Sequence, residues 1–106
     1  MENTLWKRFD ELCKVPRPSG YMDAVRRYIL EWAEDNGFHA FSDEAGSVIV
    51  KVPATAGKEA CRSVCLQAHM DMVPQTAEGV QHDWTKDPIL TEKITEDDVE
   101  WLTAKG

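Results

Sequence analysis

The sequence has few cysteines, and none at the spacing of a redox or metal motif. Cys13, Cys61 and Cys65 are odd in number and include no C-x-x-C pair, which argues against a disulfide framework and leaves free thiols as the expectation. If residues 61–65 run as a strand, Cys61 and Cys65 lie roughly 13 Å apart, far beyond bridging distance. No histidine sits where it would activate one of these thiols, so packed or idle cysteines are expected rather than a nucleophile. Long apolar runs are also missing, and the opening Met1, Glu2, Asn3, Thr4 lacks the basic-then-apolar pattern of a secretory signal. No membrane association and a cytoplasmic location are therefore expected. Basic charge is scarce: 12 Lys and Arg stand against 19 Asp and Glu, for a net charge of -7, and the cations are dispersed. The term that drives binding to phosphate backbones is absent, which removes nucleic acid as a partner. There is no internal repeat and no low-complexity tract. What remains is 106 residues, 42% hydrophobic and 29% charged with 4 Trp, the composition of one small folded domain.

The periodicities predict an α/β fold: two N-terminal helices followed by a mainly β segment of about five strands. Leu5, Phe9, Leu12 and Cys13 fall at helical spacing behind Asn3 and Thr4, either of which could cap, so a first helix is predicted over residues 4–14. Pro16 and Pro18 stop it. Ser19 reads as the cap of a second helix carrying Met22, Val25, Ile29 and Trp32 on one face, with Asn36 and Gly37 ending it. Beyond Gly37 the pattern shortens to β-prone runs. Residues 38–42 and 47–52 flank a turn at Glu44, Ala45 and Gly46 and read as a hairpin. Val64, Cys65 and Leu66 place a strand over residues 63–68, buried on both faces and central to a sheet. Residues 70–88 carry no sustained period and read as a long functional or mobile loop. Residues 89–95 and 99–104 form two last strands around Glu96, Asp97 and Asp98, a solvated turn that lacks the alternating ligands and central glycine of a calcium loop.

Chemistry concentrates where the predicted central strand ends, at Leu66-Gln67-Ala68-His69-Met70-Asp71-Met72-Val73-Pro74. In a strand, positions i and i+2 point to one side, so one ring nitrogen of His69 can face a metal while Asp71 accepts a hydrogen bond from the other. That bond fixes the tautomer and makes the coordinating nitrogen more basic. By spacing alone, a His-x-Asp triplet also fits a structural histidine at a strand end. The position before a long loop is where open α/β sheets place their ligand sites.

His69-Met70-Asp71-Met72-Val73-Pro74 resembles the His-x-Asp-x-Val-Pro signature of the cocatalytic zinc peptidases, which include carboxypeptidases, deacylases and dipeptidases. More of the chain resembles one branch, the aminoacyl-histidine (Xaa-His, or cytosol non-specific) dipeptidases. The blocks are Val15-Pro16-Arg17-Pro18-Ser19, Lys51-Val52-Pro53-Ala54-Thr55-Ala56-Gly57, residues 66–74, His82-Asp83-Trp84-Thr85-Lys86-Asp87-Pro88-Ile89 and Lys105-Gly106, in order along essentially the whole sequence.

The resemblance implies that residues 1–106 are the N-terminal segment of a zinc-peptidase catalytic domain, without the lid and dimerisation domain. It also implies a pair of zinc ions, a dipeptide substrate and a homodimeric full-length enzyme. His69 is then a metal ligand and Asp71 the residue that orients it. The family's Gly-Ala-Asp-Asn-Gly stretch with its bridging aspartate, the Glu-Glu pair that supplies the general base, and the remaining ligands would lie past Gly106. Catalytic zinc needs about three protein ligands and an open position, so the chain alone is expected to be inactive. A mononuclear site from His69, Asp71 and His82 is a further reading, with His39 and His82 otherwise structural or exposed. A non-catalytic interaction module is the alternative from a different class. Truncating an α/β domain would leave sheet edges and apolar faces uncovered, so self-association of the isolated chain is also expected.

Overall fold

The computed structural model describes the backbone of residues 2–106 and the side chains of residues 4–106. In chain order the elements are α1 (Glu2–Cys13), α2 (Asp23–Asp35), β1 (His39–Ser42), β2 (Val48–Lys51), β3 (Thr91–Glu96) and β4 (Val99–Ala104). The strands make two separate antiparallel pairs, β1 with β2 and β3 with β4. Two helices and both hairpins thus lie where the periodicities place them. No helix among the described residues is long and apolar enough to cross a membrane. The chain divides into two compact units, one formed by residues up to Val25 with Asp71–Gly106, the other by Arg26–Met70.

In the first unit, α1 carries its ion pairs along one side, Arg8 to Glu11 at 2.9 Å and Lys14 to Asp10 at 2.8 Å. Such exposed i,i+3 and i,i+4 pairs add little stability, because solvent screens them. The helix begins at Glu2, so Thr4 lies within it rather than capping it. The side chain of Asn3, the other expected cap, falls outside the described residues. Only the C-terminal end of the α1 stripe is covered: Cys13 is 2% exposed, while Leu5, Trp6 and Phe9 face solvent. The Cys13 carbonyl accepts the Ile89 N–H at 2.8 Å, tying the end of α1 to the approach to β3. β3 and β4 pair in register from Thr91 opposite Ala104 to Glu96 opposite Val99. Asp97 and Asp98 close them with φ of 50° and 61°, the two positive values that a two-residue turn needs to match strand twist. The acidic run is a turn, as its composition predicts.

The second unit packs most of α2 with the β1–β2 hairpin, whose register sets His39 opposite Lys51 and Ser42 opposite Val48. Ala33 on α2 is 0% exposed. The helix stops in a Schellman motif: Phe38 N–H reaches the Ala33 carbonyl at 2.8 Å while Gly37 takes a φ of 74°. The Trp32 and Phe38 rings meet at 5.9 Å across that end. At the hairpin tip, Asp43 Oδ1 accepts the Ser47 N–H at 2.8 Å, and Arg26 Nε donates to the Gly46 carbonyl at 2.9 Å. Gly46 has a φ of 87°, and a Cβ there would come within 2.6 Å of the Arg26 guanidinium. The guanidinium is the flexible end of a side chain and can shift, so backbone strain dominates the cost. Gly46→Ala in the full-length protein is expected to destabilise by about 1–2 kcal/mol, read as a shift in the urea midpoint.

Two expectations are corrected. Residues 63–68 are not a strand: no regular structure covers them, and Val64 and Leu66 are 83% and 92% exposed. A strand buried on both faces needs neighbours along its edges and layers over its faces; among the described residues none supplies them. Hence there are four strands among the described residues rather than about five. The second correction concerns α2, which starts at Asp23 rather than behind a Ser19 cap. The Tyr21 N–H bonds back to the Pro18 carbonyl at 2.9 Å and Gly20 adopts a φ of 89°, a turn that holds off the helix. Asp23, in the first turn, complements the helix dipole instead.

Candidate functional site

The histidine-aspartate motif lies in the irregular stretch that runs up to Met72; the side chain of His69 is exposed, whereas Asp71 is half-buried. Asp71 and its neighbours are fixed by a contact that sequence spacing does not reveal. Pro18 and Met72 form a parallel β-bridge, with the Met72 N–H donating to the Arg17 carbonyl at 2.9 Å and the Ser19 N–H donating to the Met72 carbonyl at 3.0 Å. The two bonds flank position 18, so the missing N–H of Pro18 costs the bridge nothing. Pro18 is buried beneath it. Beside the bridge, Ser19 Oγ donates to Asp71 Oδ2 at 2.6 Å, the short range of a hydroxyl bonded to an ionised carboxylate. The Ser19 oxygen also lies 3.3 Å from the Met72 carbonyl, a longer and weaker alternative for the same proton.

Ser19 is the residue that spacing passes over, being read as a helix cap. A signal was present: each residue before a proline is pushed toward extended backbone, so Val15 and Arg17 mark a segment suited to strand-like pairing. The family-like block Val15-Pro16-Arg17-Pro18-Ser19 and the block around His69 are therefore joined through Asp71 and Met72.

The other histidines make ring contacts of their own. His39 lies on β1, its ring 5.7 Å from that of Phe41, with Lys51 Nζ 5.8 Å above the Phe41 ring. His82 packs its ring 4.4 Å from Trp84, and its Nε2 is buried without a hydrogen-bond partner. The residues after it form a self-bonded turn. Asp83 Oδ1 accepts both the Thr85 N–H at 2.9 Å and the Thr85 hydroxyl at 2.6 Å, and the Asp83 N–H donates to Asp87 Oδ2 at 2.8 Å. The Thr85 hydroxyl and N–H together hold the Asp83 carboxyl below its ordinary range. The block from His82 to Ile89 thus has a local structural reason for its composition.

Among the described residues, no three His, Cys, Asp or Glu side chains group so as to hold a metal ion. The mononuclear reading from His69, Asp71 and His82 draws on both compact units and gains no support from such a grouping. An imidazole with a carboxylate two residues on is suitable zinc chemistry, and it fits one ligand with its partner, not a complete site. The cysteines add no donor cluster. Cys13 is buried, and that burial pushes its thiol up, disfavouring the thiolate, while Cys61 and Cys65 are exposed free thiols.

No protein-family model matches the chain. It is 43% identical over 102 residues to the cytosol non-specific dipeptidase of Escherichia coli K12, a match that covers 96% of this chain and 20% of that protein. Its fold superimposes on the crystal structure of the aminoacylhistidine dipeptidase from Vibrio alginolyticus with a TM-score of 0.84 and 45% identity, again over 96% of this chain and 20% of the other. The chain spans about a fifth of the length of these relatives. In both sequence and backbone course, then, it is similar along nearly its whole length to part of a cytosol non-specific or aminoacylhistidine dipeptidase, as its short blocks indicate.

Proposed function

We propose that the chain contributes one part of the active site of a longer dipeptidase, which hydrolyses dipeptides of the Xaa-His type or more broadly. What carries this reading is the 43% identity with a dipeptidase over 96% of the chain, in which the His69-x-Asp71 motif is the element suited to metal chemistry. In the full-length protein His69 would hold one of a pair of zinc ions, and Asp71 would accept the other ring N–H and keep the imidazole in the coordinating tautomer. A zinc ion held there would supply Lewis-acid chemistry for activating water and polarising a carbonyl. The general base, the other ligands and the groups that select the substrate would come from residues outside this chain. Those residues would also supply the strand neighbours that residues 63–68 lack, and the homodimer interface of the full-length enzyme. The cytoplasm is the compartment that fits free cysteines.

The test compares dipeptide hydrolysis by the 106-residue chain with that of the full-length protein, each with added zinc, on a Xaa-His dipeptide and a panel without histidine. Turnover by the full-length protein and none by the chain is expected. If the full-length protein hydrolyses no dipeptide, the reading is wrong and the interaction-module alternative takes its place.

A further inference from the structure

We propose that Ser19 is the positioning residue for the Asp71 carboxylate, a role that rests on the reading above in which Asp71 orients His69. An aspartate that must present one oxygen to an imidazole has a soft terminal torsion, because rotation of the carboxylate plane is broad and roughly two-fold. A second anchor on the other oxygen removes that freedom. Ser19 Oγ supplies it at 2.6 Å on Oδ2. A hydroxyl suits the task better than a cation would: it bonds the carboxylate without cancelling its negative charge, which the imidazole needs as its acceptor.

The position of the hydroxyl is itself determined by the backbone. Ser19 N–H on the Met72 carbonyl and Met72 N–H on the Arg17 carbonyl lock residues 17–19 beside residue 72, with Pro18 buried at the centre of the bridge. These bonds do not involve the Ser19 side chain. Ser19→Ala therefore deletes the anchor and leaves the bridge that carries it, which separates a positioning role from a structural one. Ser19→Thr keeps the hydroxyl at a position that is exposed.

The experiment uses the full-length protein and its Ser19→Ala, Ser19→Thr, Asp71→Ala, Ser19→Ala/Asp71→Ala and His69→Ala variants. Zinc affinity is measured by competition with a chromophoric chelator, and kcat and KM on a Xaa-His dipeptide. Partners of metal-binding histidines are worth 10- to 100-fold in affinity or activity, and a group acting one step further out less, so Ser19→Ala is expected to weaken zinc binding by about 3- to 10-fold. It should lower kcat more than it raises KM. Ser19→Thr should stay within about twofold of the parent. In the Asp71→Ala background the serine change should have little further effect, within about twofold, since the Asp71 contact is gone and only the longer contact to the Met72 carbonyl remains. An unchanged zinc affinity in Ser19→Ala, or the same loss with Asp71 absent, overturns the proposal. Should His69→Ala and Asp71→Ala also leave zinc affinity unchanged, the underlying reading of the site fails. If those two weaken binding and Ser19→Ala does not, only the role of Ser19 is refuted.

Discussion

His69→Ala in the full-length protein is expected to abolish measurable dipeptide hydrolysis and to release about one zinc ion per chain, as judged by metal analysis after dialysis. A metal acting as Lewis acid supplies several kcal/mol of transition-state stabilisation, so losing its ligand should lower kcat/KM by at least about 10³-fold. Asp71→Asn should be milder. It keeps the size and an amide oxygen that can accept the ring N–H, but removes the charge that makes the imidazole basic, so about 10- to 100-fold is expected. The order of the two effects is as informative as their size. A ligand must outrank the group that aims it; if Asp71→Asn were the more damaging, Asp71 would be touching the metal or the substrate directly. Full zinc content and activity in His69→Ala would remove the motif from the site altogether.

The 106-residue chain expressed alone should lack a cooperative thermal transition, bind a hydrophobic dye such as ANS, and self-associate as its concentration rises. Among the described residues the buried side chains are few: Cys13, Pro18, Val25 and Ala33. Against them stand exposed large apolar groups on several elements, among them Leu5, Trp6 and Phe9 on α1, Val64 and Leu66 in the irregular stretch, and Ile94, Val99 and Trp101 on the second hairpin. Each large side chain left fully uncovered forgoes roughly 1.5–3 kcal/mol, so a few such groups rival the stability of an ordinary domain, about 5–15 kcal/mol. Calorimetry and sedimentation at several concentrations check this. A single sharp endotherm with a concentration-independent monomer would show that the exposed groups are not surfaces awaiting a partner.

How much was readable in advance follows from how locally each feature is encoded. The stripe on α2, the Asn36-Gly37 stop and the two hairpins depend on residues a few positions apart, and they stand where the pattern places them. Residues 63–68 have the composition of a central strand, but the strand state depends on partners, and the described chain offers none. Ser19 was misread for the opposite reason. Its local context fits a helix cap, while its actual partner, Asp71, is 52 positions away, a relation that a single sequence does not encode by spacing. His69 and Asp71 were legible as a chemical pair; the anchor behind the aspartate was not.

The bridge between Pro18 and Met72 also sets an order of events during folding. A hairpin closed by Asp97 and Asp98 needs only neighbouring residues to meet and belongs to the microsecond class of events. Joining Ser19 to Asp71 means closing a loop of 52 positions, with an entropic cost that grows by about 0.6 kcal/mol for each doubling of length and is met before any contact rewards it. On the ribosome, the proline segment cannot make its bridge until residue 72 has emerged. The carboxylate therefore reaches its final setting only after the local elements that precede it, α2 and the first hairpin, have been free to form.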